Sequence, residues 1–399
     1  MTTTDVVPTL EHYLEQVTEI EPVLREHDEA NERERRLVGP VVDALRDAGM
    51  FRIGVPRHYG GASLDPRDAC RVVAALAEID SAAAWNVSIA AAATGIAGIF
   101  SPDLTDTIFG DDPDAVCAVS TAAPAFVTEA DDTYVVNGEL KFLSGAHQAS
   151  WFLSIAAILR DGQLVTDASG QMPAIHLACL KRDEVELLDR WHVSAMRGTG
   201  STDASVSAAV IPPSRLVRVE HLRPGGCFSD PGFQIAPWNG IAMETAVSVG
   251  IARAAIHDLQ ALATTKIAAG MDMNKIAQRE RVQHNLARAM ALVEGAWAYL
   301  TVSLSFALEH ASEVGGPLPS ELKAALQLSA FTGADASARA VDLVCEAAGT
   351  SSARLEHRFE RYHRDVHFLT KHASKSVERV TNVGKMLLGM PAGWPTLDL

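Results

Sequence analysis

Positive charge is scarce in this chain. The 34 Lys and Arg are outnumbered by 50 Asp and Glu, leaving a formal net charge of −16 over 399 residues. An acidic surface repels phosphate backbones and anionic headgroups, so neither nucleic acid nor a membrane is the expected partner. Cysteine is scarce as well. Cys70, Cys117, Cys179, Cys227 and Cys345 are dispersed and form no CxxC pair, the usage expected of packed thiols in a reducing cytoplasm. The start, Met1-Thr2-Thr3-Thr4-Asp5, has neither a basic nor an apolar region, so no signal peptide is expected. No lysine followed by Ser or Thr completes a phosphate-binding loop. The dinucleotide fingerprint, the GxSxG elbow and the HExxH zinc motif are also missing. Aromatic residues are only 6% of the chain.

What is present is an ordinary globular balance, 48% hydrophobic and 21% charged, in a chain long enough for about two to three domains. Three patterns follow one another. Residues 1–114 read as helices. Leu10, Tyr13, Leu14, Val17, Ile20 and Val23–Leu24 recur at a helical period over Thr9–Arg36. Pro40 opens Val41–Ala48, with Gly49 just past its end. Asp65-Pro66 caps Arg67–Ile79, and Asp80 or Ser81 caps a helix reaching Phe100. That last segment is apolar enough to tempt a membrane assignment, but its Ala/Gly-rich composition reads as a buried core helix.

Residues 115–222 read as strands. Asn137-Gly138 between Tyr134–Val136 and Glu139–Leu143 predicts a hairpin turn, and Asp161-Gly162 after Trp151–Leu159 predicts another. Ala174–Leu180, Glu184–Leu188 and Ala204–Ile211 add strands up to Pro212-Pro213, so an antiparallel sandwich or barrel is expected. A connector with Pro224-Gly225-Gly226 and Pro231-Gly232 leads into residues 223–399. There Met243–Thr264, Ile276–Glu309 and Ser320–Gly349 predict long, Ala-rich helices packed as a bundle.

Several polar constellations interrupt these patterns. Arg197-Gly198-Thr199-Gly200-Ser201 can bind a phosphate or a polar ring edge, or it is a polar loop between strands. Ser144, in Phe142-Leu143-Ser144-Gly145, sits at a strand end, as a cofactor contact or an ordinary turn serine. Arg361–His372 gathers Arg364, Asp365 and three histidines. His363 and His367 are one helical turn apart, as metal ligands are, but no carboxylate-rich partner cluster is evident, so no metal is expected. Arg364 and Asp365 are read as making separate salt bridges.

Four stretches together resemble the acyl-CoA dehydrogenase fold, and within it the two-component, reduced-flavin-using monooxygenases. They are Gly49–Pro56 with Tyr59-Gly60-Gly61; Leu143-Ser144-Gly145 with Ala149-Ser150-Trp151; Met196–Ser201 with Asp203; and Ala348-Gly349 with Arg364-Asp365-Val366-His367 and His372. The likeness spans residues 30 to 395. It implies an α+β fold with an N-terminal helical domain, a central antiparallel β domain and a C-terminal helical bundle. In many dehydrogenases of this fold a catalytic glutamate follows the C-terminal Arg-Asp. Here that place falls at or beside Ala373, next to His372, with no glutamate before Glu378.

The resemblance therefore implies oxygen chemistry. Reduced FAD or FMN from a separate reductase would react with O2 to a C4a-hydroperoxide, and His372 would deprotonate or orient the substrate. Ser144 would contact the flavin N5/C4a edge. Arg197, Thr199, Ser201, Lys266 and Gln283 would hold the flavin, and Trp85, Asn86, Ser88 and His367 would line the substrate site. Core packing is the other reading of Trp85, Asn86 and Ser88. A cytoplasmic homotetramer is implied. The substrate would be a small molecule, either an amine such as a nucleotide-linked amino sugar or a phenolic ring. The low aromatic content leans slightly toward the polar one. The alternative activity is an acyl-CoA dehydrogenase with a displaced base.

Overall fold

The computed structural model describes residues 8–100, 102–167, 170, 173–218, 228–267 and 273–391. The Pro224-Gly225-Gly226 connector and Cys227 lie outside them. The chain divides into two compact units that interleave in sequence. One holds the chain up to Asp65, Trp85–Val193 and Arg197–Gly240; the other holds Pro66–Ala84, Ser194–Met196 and the chain from Ile241.

The first unit begins with α1 (Leu10–Glu26), α2 (Asp28–Glu34) and α3 (Gly39–Asp47). Thr9 caps α1, and Tyr13, Val17, Ile20 and Leu24 form its buried stripe. The single helix expected over Thr9–Arg36 is broken at His27, where the dihedrals leave the helical range (φ −101°, ψ 6°). Beyond the break, the buried Asn31 side chain accepts the Val38 N–H at 2.9 Å and ties α2 to the start of α3. After α4 (Pro66–Ile79), which belongs to the second unit, come α5 (Ser81–Phe100) and α6 (Pro102–Phe109). Asp80 caps α5, its Oδ1 accepting from Ala82 N–H at 2.8 Å and Ala83 N–H at 2.9 Å.

The strands are β1 (Cys117–Ala130), β2 (Thr133–Leu143), β3 (Trp151–Arg160), β4 (Gln163–Leu164), β5 (Ile175–Lys181), β6 (Glu186–Leu188), β7 (Thr202–Ile211) and β8 (Leu216–Arg218). They form one sheet in the order β6-β7-β2-β1-β3-β5-β8, with β4 on β3. Every pairing is antiparallel except β1 with β3, which is parallel. The strands expected as an antiparallel sandwich or barrel are hydrogen-bonded into one continuous sheet. Alternation along its strands divides two cores. Ala118, Phe152, Ala178 and Leu180 enter a core made by the sheet and its loops. Cys117, Trp151, Leu153, Leu177 and Cys179 pack on Val55, Ala93, Ala97, Leu104, Ile108 and Phe109.

Asn137-Gly138 does not turn. It runs straight through β2, and the β1–β2 turn is made by Asp131-Asp132, with Asp131 at φ 49°. Asn137 serves a bulge in β7 instead: its Oδ1 accepts the N–H of Ala208, whose φ is 52°, at 2.8 Å. The Asp161-Gly162 hairpin forms as expected, with both residues at positive φ (53° and 76°).

The second unit holds α4, α8 (Trp238–Thr265, from Ile241 on), α9 (Glu280–Glu313), α10 (Ser320–Ala348), α11 (Phe359–Leu369) and α12 (Val377–Leu387); the short α7 (Pro231–Gln234) precedes them in the first. Small residues set the approach of these helices. A Cβ on Gly250 would lie 2.3 Å from the Ala74 carbonyl oxygen and 2.6 Å from Ala77 Cβ. Gly250→Ala is therefore expected to destabilise the protein by about 1–3 kcal/mol, despite alanine's better helix propensity. Urea denaturation checks this; an unchanged midpoint would mean α8 and α4 can separate without cost.

Candidate active site

In the first unit, hydroxyl groups converge where β2 ends. β2 carries an extra residue against β7 between Leu140 and Leu143, and Phe142 adopts φ 57° there. Asp203, two residues past Ser201, accepts the Phe142 N–H at 3.2 Å and the Lys141 ammonium at 3.0 Å, and so supports the bulge. Next in the chain, the Ser144 Oγ lies 2.7 Å from Ser201 Oγ, which lies 2.6 Å from Thr199 Oγ1. The Trp85 indole N–H donates to Ser144 Oγ at 2.9 Å. All four side chains are buried. Gly145 donates its N–H to the Thr199 carbonyl at 3.0 Å, joining the two loops. Gly145 has φ 71°, and a Cβ there would lie 2.8 Å from Asn86 Oδ1, so Asn86 packs directly against this turn.

Ser144, Thr199, Ser201, Trp85 and Asn86 are therefore brought together. Ser88 is buried, but its hydroxyl donates to the Trp85 carbonyl at 2.8 Å within the same helix, the core-packing alternative. Arg197 directs its Nε to the Glu32 carbonyl at 2.9 Å and braces the loop against α2.

The second unit holds His372. It follows α11 and caps the short turn Ala373–Lys375. Its Nδ1 lies 2.7 Å from Ser374 Oγ and 3.2 Å from Glu244 Oε2. Ser374 Oγ is 2.6 Å from the same carboxylate oxygen, and Lys375 Nζ reaches it at 3.1 Å. Ser374, Lys375 and Glu244 are buried, while the His372 side chain stays 37% exposed. Burial by itself would raise the Glu244 carboxyl. The adjoining His372 and Lys375 charges and the hydrogen bonds from His372 and Ser374 outweigh it and hold the group ionised well below the usual carboxylate range. Burial pulls Lys375 below its usual value, against the attraction of Glu244.

Neither Glu244 nor Ser374 was singled out from the sequence, although a signal exists. Glu244 is the one charged residue between Trp238 and Arg253 in an otherwise apolar helix.

Three other expected site residues have structural partners. Lys266 donates to the Ala348 carbonyl at 2.7 Å and to Ser351 Oγ at 2.9 Å, closing the end of α10. Gln283 Nε2 donates to the Ala277 carbonyl at 3.0 Å. His367 Nε2 lies 2.8 Å from Asp342 Oδ1.

Asp365 is also structural. It is 1% exposed and accepts from Ser81 Oγ at 2.8 Å and Met196 N–H at 2.7 Å. Arg361, itself buried, lies 3.6 Å from Asp365 and 3.7 Å from Asp80. Arg364 pairs with Glu360 at 3.1 Å and donates to the Ser194 carbonyl at 2.6 Å. Its distance to Asp365 is 3.7 Å, so the two adjacent residues are in ion-pair range as well as having separate partners.

Comparison with known proteins agrees with this architecture. A family model for the acyl-CoA dehydrogenase N-terminal domain matches residues 12–101, and one for the C-terminal domain matches residues 242–377. The chain is 27% identical over 382 residues to the flavin-dependent monooxygenase oxygenase subunit HsaA of Mycobacterium tuberculosis, covering 93% of this chain and 94% of that one. It is 24% identical to the oxygenase component of p-hydroxyphenylacetate 3-hydroxylase from Acinetobacter baumannii, over 94% of this chain and 89% of that one. Among solved structures, XiaF from Streptomyces sp. in complex with FADH2 superposes with a TM-score of 0.89 at 21% identity, covering 97% of both chains. KijD3, solved with FMN and a dTDP-amino-keto sugar, superposes with a TM-score of 0.81 at 16% identity, covering 98% of this chain and 97% of that one.

Proposed function

The chain belongs to the acyl-CoA dehydrogenase family and is similar to its two-component flavin-dependent monooxygenases; from that premise we propose that it is an oxygenase component. It takes reduced FMN or FAD from a separate reductase and uses O2 to oxygenate a small molecule. The observation that carries this reading is the residue at the C-terminal catalytic position. An imidazole, His372, stands beside the place where many dehydrogenases of the fold keep a carboxylate. Glu244 is the carboxylate nearest to a displaced base, but its oxygen is committed to Ser374, Lys375 and His372. A buried, ionised carboxylate whose Oε2 meets a hydroxyl, an ammonium and an imidazole reads as a counter-ion rather than as a base reaching a substrate.

The buried hydroxyl cluster fits a flavin. Ser144, Thr199 and Ser201 can each donate or accept, and so match the mixed donor and acceptor edge of the ring. Bound there, reduced flavin supplies the two electrons with which O2 yields one water and one transferred oxygen atom. The chain's own residues do the rest. Ser144, anchored by Trp85, orients the ring edge; the buried surroundings exclude water; His372 accepts the proton of the substrate's hydroxyl or amine, which makes that substrate a better nucleophile. The name of the p-hydroxyphenylacetate 3-hydroxylase relative favours a phenolic or other aromatic substrate. An amino sugar is the second reading, supported by the ligand of KijD3.

Stopped-flow mixing of the protein and reduced FMN or FAD with O2 tests the activity. The expected result is a spectral transient before oxidised flavin appears, and a product 16 mass units heavier from a phenol panel. Product only from amino sugars would transfer the substrate assignment. Direct reoxidation with no transient, together with bleaching of oxidised flavin by acyl-CoA, would establish the dehydrogenase instead.

The protein works as a homotetramer in this reading, and α9 supplies an interface. Tyr299, Val302 and Phe306 form an exposed apolar stripe along it. By length and composition α9 could also cross a membrane, with a mean hydropathy of 1.4 over its most apolar window. A partner copy covers such a stripe equally well. Phe306→Glu is expected to lower the assembly mass in analytical ultracentrifugation; an unchanged mass would take α9 out of the interface.

A further inference from the structure

We infer that Glu244 and Ser374 are positioning residues that hold His372 as the Nδ1–H tautomer and so make Nε2 its basic nitrogen. The assignment of a role in turnover rests on the monooxygenase reading; the tautomer itself does not. The direction of each hydrogen bond follows from the carboxylate. An ionised carboxylate only accepts, so the 2.6 Å contact obliges Ser374 Oγ to donate its one proton to Glu244. That hydroxyl must then accept at 2.7 Å from His372, whose Nδ1 carries the proton. The 3.2 Å approach of Nδ1 to Glu244 Oε2 requires the same proton. One contact opposes this, the Ser374 N–H near Nδ1 at 3.4 Å; it is the longest and weakest of the set.

The cluster is built for this single arrangement. Gln327 on α10 donates to the Ser374 carbonyl at 2.8 Å and fixes the turn that carries the hydroxyl. Lys375, fully buried, donates to Glu244 at 3.1 Å and to Ser374 Oγ at 3.0 Å. Its ammonium meets the same carboxylate oxygen that Ser374 and His372 approach. Glu244 from α8 faces the ring, Lys375 from the same turn meets Glu244, and Arg379 from α12, whose guanidinium bonds Gln327 at 3.4 Å, also acts on that carboxylate.

The test combines a spectrum with kinetics. In nitrogen-15 NMR of histidine-labelled protein, the resonance that disappears in His372→Gln is assigned to His372. The expected wild-type pattern of the neutral ring is a protonated Nδ1 and a bare Nε2. Ser374→Ala and the charge-paired double variant Glu244→Gln with Lys375→Met are expected to mix the tautomers. Their kcat is expected to fall about 10- to 100-fold with little change in flavin affinity, and the pH–rate profile is expected to shift. The double variant leaves no unpaired buried charge, so it remains informative if Glu244→Gln alone does not fold. A wild-type proton on Nε2, or tautomers unchanged in both variants, would overturn the inference. The expected tautomers in a protein that oxygenates nothing would overturn the monooxygenase reading alone.

A separate cluster carries a second proposal: the geometry points to a divalent transition-metal site at Asp342, His363 and His367. The sequence argument against metal was the missing carboxylate, and α10 supplies it. The His363 and His367 Nε2 atoms lie 3.3 and 2.8 Å from Asp342 Oδ1, and the three donor atoms fall within 4.8 Å of one another. The side chains are 39–50% exposed, so an ion can enter and keep water in its remaining positions. Two imidazoles and one carboxylate suit Zn2+ or Ni2+ better than Mg2+ or Ca2+. Such an ion would tie α10 to α11. Calorimetric titration of the chelator-treated protein with ZnCl2 is expected to show one equivalent per chain, weakened at least about 10-fold in His363→Ala/His367→Ala. No binding, or equal binding by that variant, would overturn the site.

Discussion

His372→Ala is expected to lower product formation by about 10²- to 10⁴-fold, the usual contribution of a positioned acid–base group. Flavin binding is expected to persist, since it is assigned to the Ser144, Thr199 and Ser201 hydroxyls. Oxygen uptake should therefore continue and end in hydrogen peroxide, and the ratio of product to oxygen consumed is the measurement that reads the effect. The fold should tolerate the change. Ser374 keeps its 2.6 Å bond to Glu244 and Lys375 keeps its 3.1 Å contact, so the buried charge stays paired. The lost neutral hydrogen bond costs only about 1 kcal/mol. Unchanged coupling would remove His372 from the chemistry and leave it a turn-capping residue.

Asp365→Ala is expected to have the largest effect on stability, about 3–5 kcal/mol. Asp365 accepts from Ser81 and Met196, and it is the nearest counter-charge to the buried Arg361 guanidinium, at 3.6 Å against 3.7 Å for Asp80. Burial already lowers the Arg361 proton affinity from its usual value, with Asp365 opposing the shift. Removing the carboxylate takes the nearest counter-charge from a cation in a low-dielectric setting, and takes away the acceptor at 2.7 Å from the Met196 N–H. Asp365→Asn should recover part of the loss, because it restores an acceptor but not a charge. Guanidinium denaturation of the two variants separates these contributions. A loss below about 1 kcal/mol in the alanine variant would show that Asp80 suffices for Arg361.

How legible each feature was in the sequence depends on the range of the interaction behind it. Tyr13, Val17, Ile20 and Leu24 repeat at helical spacing and lie buried on one face. Asp161-Gly162 turns where it was expected to, since both positive φ angles are local properties of those two residues. Asn137-Gly138 has the same local preference and is overridden. Its strand continues because β1 and β7 pair on either side, and the asparagine finds a better use at the Ala208 bulge. The parallel β1–β3 pairing was equally hidden, because strand direction leaves no mark on alternation. Within the site, the motif residues Ser144, Thr199 and Ser201 do converge. Lys266 and Gln283, implied by the resemblance alone, turn to nearby carbonyl oxygens.

The sequence by itself determined the succession of helices, strands and helices, the family and the hydroxyl motifs. These follow from periodicity, turn chemistry and short contiguous motifs, which are written over a few neighbouring residues. Tertiary structure alone decided what His372 is bound to, that Asp365 is an internal counter-ion, and that Asp342 stands beside two histidines. Each of these depends on side chains from different helices meeting in space. His372 and Glu244 are 128 positions apart in the chain, and their 3.2 Å contact exists only because α8 packs with the turn after α11. Composition and spacing carry no record of such packing.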